Sequence, residues 1–157
     1  MKLSDSGEKI TSEDIKAFEQ ELSLVLPEDY KSFLERSNGG MPEGDYVFEF
    51  FDEVTERTNH SVIQEFFILN KDETDSYDDL KSNCMSLWDE EALSKDDLPF
   101  GLDPGGYYLC LSLSSDDYGT VYLCNHEYDD SETGYLVKSK VADSFSAFME
   151  CLRLDED

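Results

Sequence analysis

The chain has 157 residues, 38 acidic and 12 basic, for a formal net charge of −26. A chain of this length suits one domain and buries roughly 70% of its extended surface, so it needs no disulfide or metal staple. With 39% apolar residues, 10 Phe and 9 Tyr, the composition excludes global disorder. The charge repels nucleic acid and anionic membrane and steers basic partners, although it also serves solubility alone. It is uneven: residues 1–40 carry 5 basic and 9 acidic groups, and the remainder carries 7 and 29.

Residues 1–10 read as a loose polar lead-in with no apolar segment of the secretory kind, and no window approaches the roughly 18 apolar residues of a membrane span. Thr11 followed by Asp14 resembles an N-cap with its acidic N3 partner. Ile15, Phe18 and Leu22 then form one apolar helical stripe ending near Ser23. Leu24-Val25-Leu26 links this helix to a second. There Pro27 suits the first helical position, Glu28 and Asp29 favour the dipole, and Tyr30, Phe33 and Leu34 share a face. Ser37-Asn38-Gly39-Gly40 ends it, glycine being able to take a left-handed conformation.

The period then changes. Tyr46–Phe51 reads as a strand, 52–60 as a polar loop, and Glu65–Leu69 as a second strand. After an acidic connection, Tyr77, Leu80, Lys81, Cys84 and Leu87 have helical spacing. Trp88–Asp97 has no clear assignment. Leu98-Pro99-Phe100 is extended, and Asp103-Pro104-Gly105-Gly106 is a turn. Tyr107–Leu113 alternates, and with Thr120–Cys124 it makes a hairpin. An acidic loop, 125–133, leads to a strand over 134–140. Asp143 suits the N-cap of a last helix carrying Phe145, Phe148, Met149 and Leu152. An acidic tail, 153–157, closes the chain. This order gives α+β: two N-terminal helices and a C-terminal helix on a mostly antiparallel, twisted sheet, with one further helix in the middle.

Motifs for chemistry are scarce. His60 and His126 stand in no zinc spacing, and no GxSxG, GxGxxG or Walker A pattern occurs. An EF-hand register from Asp72 puts Tyr77 where glycine is needed and Asn83 where glutamate is needed. No catalytic, cofactor or metal residue is therefore assigned. Cys84, Cys110, Cys124 and Cys151 lack CxxC spacing and read as reduced thiols, with Cys110 and Cys124 able to face each other on the hairpin. The acidic runs are the remaining signal. They either form a solvated surface or, with interspersed tyrosines, make an anionic docking surface. The candidate binding residues are Glu43, Asp45, Asp116, Asp117, Tyr118, Glu127, Tyr128, Asp129 and Asp130.

Leu26-Pro-Glu-Asp-Tyr-Lys-Ser-Phe-Leu34 with Asn38-Gly39-Gly40, preceded by Thr11–Leu22, resembles the start of the SUKH superfamily of fungal Smi/Knr cell-wall regulators and bacterial toxin-immunity proteins. Leu98–Tyr108, Gly119–Tyr122 and Ala142–Phe148 continue the resemblance in the same order. It implies a single α+β domain over 1–157 without an active site. It further implies a cytoplasmic immunity protein that neutralises a cognate toxin, with a basic nuclease as the leading candidate, or alternatively a regulatory or scaffolding module.

Overall fold

The computed structural model describes residues 1–156. The lead-in is not loose. Strand β1 (Leu3–Ser4) pairs antiparallel with β2 (Met41–Pro42), and Ile10 is buried in the core. Helix α1 (Ser12–Leu22) begins as its sequence dictates. The Thr11 side chain accepts the Asp14 N–H, and the Asp14 carboxylate accepts the Thr11 N–H at 2.8 Å, which satisfies two otherwise orphaned donors. Ser23 closes the helix in the left-handed region. Helix α2 (Glu28–Arg36) starts one residue later than expected. Pro27 is its N-cap, and the Pro27 carbonyl accepts the Lys31 N–H at 3.0 Å.

Past α2 the chain turns on Asn38, Gly39 and Gly40. Gly39 has φ +68°, and a Cβ there would lie 2.5 Å from the Phe67 carbonyl oxygen. Only glycine allows that backbone approach. Asn38 is buried, and its side chain grips Leu69 as a neighbouring strand would. Its Nδ2 donates to the Leu69 carbonyl at 2.9 Å, and its Oδ1 accepts the Leu69 N–H at 2.9 Å.

A three-stranded sheet is ordered β10-β3-β4, with β3 (Asp45–Asp52) between β4 (Arg57–Val62) and β10 (Arg153–Asp155). One expectation fails here: residues 57–60 of the polar loop belong to strand β4. The acidic tail, for its part, pairs with β3 as β10 through Arg153, Leu154 and Asp155. Both are edge strands facing water, where polar residues suffice and no alternation signals the strand.

The larger sheet is ordered β5-β6-β7-β8-β9, antiparallel throughout: β5 (Glu65–Phe66), β6 (Asp97–Leu102), β7 (Tyr108–Ser112), β8 (Val121–Asp129) and β9 (Leu136–Ala142). The strand expected over 65–69 is regular only at Glu65–Phe66. Phe67 donates onward to the Phe100 carbonyl, and Ile68 bridges Asp79. Helix α3 (Leu80–Asp89) starts after Tyr77 and is capped by Asp79, which accepts the Ser82 N–H at 2.8 Å. The Trp88 indole N–H donates to the Asp97 carbonyl at 2.9 Å and ties the end of α3 to the start of β6. Strand β7 is central, so Leu109, Cys110, Leu111 and Ser112 are all buried, and its alternation separates two covered faces. The acidic stretch 125–133 is largely strand, because β8 continues to Asp129 across a bulge. Helix α4 (Phe145–Cys151) is capped by Ser144 rather than Asp143; the Ser144 hydroxyl accepts the Ala147 N–H at 3.0 Å.

The fold is α+β, with four helices and mostly antiparallel sheets among the described residues. Its centre is aromatic. Tyr30 and Phe33 of α2 lie 5.2 and 5.1 Å from the Phe145 ring, and Phe100 of β6 packs on Phe145 and Phe148 at 5.4 and 5.9 Å. Cys110 and Cys124 sit diagonally on β7 and β8 as buried free thiols with sulfurs 3.3 Å apart, and burial pushes the Cys110 thiol up. Cys151 is exposed.

Candidate functional site

The β7–β8 and β8–β9 connections follow opposite ends of β8, yet residues of both line one groove, β8 pairing with β9 across a register shift between Cys124 and Asp129. Between them runs an open groove of about 1080 Å³. Asp116 and Asp117 come from the first turn, and Asp129, Asp130 and Glu132 from the second. Glu53, Asp96 and Asp97 complete eight lining carboxylates, against two lysines, Lys138 and Lys140.

The floor is an organised network. Lys138 Nζ lies 3.2 Å from Asp97 Oδ1 and 4.5 Å from the centre of the Tyr122 ring. The Asp117 carboxylate accepts hydrogen bonds from the Ser112 and Tyr122 hydroxyls. Burial raises the Asp97 pKa, and the opposing Lys138 charge only partly offsets it. Burial also pushes Asp117 up, but the Ser112 and Tyr122 hydrogen bonds and Lys138 outweigh it, so that carboxyl stays below its usual range. Tyr122 is raised by burial and by its bond to Asp117. Asp117 is thus committed to holding the floor, while Asp116 and Asp129 are exposed at the rim. The arrangement suits cationic side chains offered by a large partner.

The nine candidate residues do not form one site. Asp116, Asp117, Asp129 and Asp130 meet in the groove. Tyr118 turns away, its hydroxyl donating to the Val25 carbonyl at 2.7 Å. Glu127 and Tyr128 are exposed on β8 but do not line the groove. Glu43 lies between β2 and β3 and Asp45 opens β3, away from the five-stranded sheet, with Glu43 pairing with Lys2 at 3.5 Å. Sequence reasoning missed Glu53, Asp96, Asp97, Tyr122 and Lys138, which carry no motif and converge only through strand pairing. Among the described residues, no group of three or more His, Cys, Asp or Glu side chains is arranged to hold a metal ion, and no helix is long and apolar enough to cross a membrane.

Two capped helices, an Asn-Gly-Gly turn onto an antiparallel meander, and a C-terminal helix closing an aromatic core define an α+β domain with a broad acidic groove. The chain belongs to the SMI1 / KNR4 family (SUKH-1), whose model matches residues 9–151. No curated protein matches it.

Proposed function

We propose that this protein is a non-catalytic bacterial immunity protein that binds a cognate toxin in the cytoplasm and blocks it, with a basic nuclease as the leading candidate. The observation that carries the reading is the groove of eight carboxylates and two lysines in a member of this family. A nuclease presents cations to phosphate, so an acidic protein seated on that surface competes directly with nucleic acid. The net charge of −26 accelerates encounter with such a partner by roughly 10–10³-fold, most at low salt.

The test is co-expression with the toxin encoded beside this gene. Rescue of growth is expected, with weaker rescue by an Asp129→Lys/Asp130→Lys variant. Equal killing with and without the protein sinks the reading. The family match also accommodates a regulatory or scaffolding module; recovery of housekeeping proteins in a pull-down, with no toxin gene nearby, would favour that role.

A further inference from the structure

The α1–α2 linker, α3 and the β7–β8 turn enclose a second groove, of about 670 Å³, which meets the acidic groove at Asp96. Three exposed large apolar side chains line it. Val25 is 65% exposed, Tyr118 45% and Met85 39%, and half-buried Leu22, Leu24 and Leu113 and the indole of Trp88 complete the apolar lining. The linker that presents Val25 is pinned. Ser23 is left-handed, the Leu24 N–H donates to the Glu19 carbonyl at 3.0 Å, and the Leu26 N–H donates to the Glu19 carboxylate at 2.7 Å. The Val25 carbonyl takes the Tyr118 hydroxyl. A rigid apolar depression loses little conformational entropy on binding, and apolar patches with polar rims mark interaction sites.

The rim indicates the occupant. Glu21 is paired with Lys81, but Asp89 and Asp96 make no ion pair among the described residues, and Lys95 is the single cation of the groove. A second copy of this chain would bring another −26 against the first. We propose that this groove is the apolar anchor point for a basic protein partner, taking an aromatic or aliphatic side chain flanked by lysine or arginine. Only the partner's identity as a toxin rests on the reading above. The anchor supplies residence time and the adjacent acidic groove supplies steering.

The probe is the peptide acetyl-Lys-Arg-Phe-Leu-Arg-Lys-amide, followed by amide NMR shifts and by fluorescence of Trp88, the sole tryptophan. Saturable shifts centred on residues 22–26, 85–89 and 118 are expected. Replacing Phe-Leu in the peptide by Ser-Ser weakens binding at least about tenfold, as loss of one large apolar side chain predicts. Val25→Asp and Met85→Glu each weaken it similarly; both positions are exposed, so the folded spectrum is kept. Three results overturn the proposal: no shifts at these amides, equal binding of the Ser-Ser peptide, or indifference to both substitutions. Self-association that Val25→Asp abolishes would assign the groove to a second copy instead. Peptide binding without rescue from a toxin keeps this inference and removes the toxin reading. Rescue that survives both substitutions, with no peptide bound, does the reverse.

Discussion

Replacing Asn38 by Ala removes the side chain that joins three segments of the chain. Asn38 is 4% exposed, and its Nδ2 donates to the carbonyls of Glu8 at 2.8 Å and Leu69 at 2.9 Å, while its Oδ1 accepts the Leu69 N–H at 2.9 Å. The substitution leaves both polar groups of buried Leu69 without a partner, and each such group costs about 1–3 kcal/mol. Glu8 is exposed, so its carbonyl turns to water at little cost. Water entering the vacated space recovers part of the rest, so the expected loss is about 3–4 kcal/mol. That corresponds to a fall in Tm of roughly 6–15 °C for a domain of this size. Urea unfolding followed by Trp88 fluorescence measures it, with a lower midpoint and an unchanged slope. Asn38→Asp keeps the acceptor for Leu69 N–H but sets a carboxylate oxygen against two carbonyls. It is therefore at least as destabilising at neutral pH and improves on acidification, when protonation restores a donor. A loss below about 1 kcal/mol for Asn38→Ala would refute the view that this side chain closes the fold.

Three other outcomes follow from particular contacts. Tyr30 is buried and its hydroxyl has no hydrogen-bond partner among the described residues, so Tyr30→Phe should be neutral or stabilise by up to about 1 kcal/mol in the same unfolding assay; marked destabilisation would reveal a bond the packing does not account for. Gly39→Ala should destabilise by about 2–4 kcal/mol, because its φ is +68° and its Cβ would meet backbone oxygens at 2.5 and 2.8 Å; a thermal melt indistinguishable from the parent contradicts this. The Asp117 carboxyl is held below its unfolded value, so its stabilising contribution is complete above about pH 4 and is lost as pH falls through the lower folded value. Asp117→Asn should therefore lower stability at neutral pH and flatten the acid limb of the stability–pH curve, and an unaltered limb would show that Asp117 does not contribute to it.

Much of the fold is legible locally, and the reasons are local. The Thr11–Asp14 capping box and the Tyr30-Phe33-Leu34 face were readable because their partners lie within one turn. The β7–β8 hairpin was readable because its turn and strands adjoin. Strand β4 was not, since an edge strand in water needs no apolar residues. Nor was β10, whose partner lies about a hundred residues away in sequence. The acidic groove was half legible: acidity was plain, but which acids share a concavity was not. Glu43 and Asp45 are as acidic as Asp129 and Asp130, yet they lie between β2 and β3 and at the start of β3, outside the groove.

The sequence by itself determined the capped helices, the hairpin, the need for glycine after Asn38, and a surface charge of −26, because each depends on covalent neighbours or on composition. Tertiary structure alone decided which charges work together. Strand order and register placed Asp97 beside Lys138 and Asp117 beside Tyr122, and they set the acids of two turns around one groove. Tertiary packing also left Val25 in water with its carbonyl held by Tyr118, a residue 93 positions away. Contacts of that separation depend on how whole elements pack, and no spacing rule along the chain encodes them.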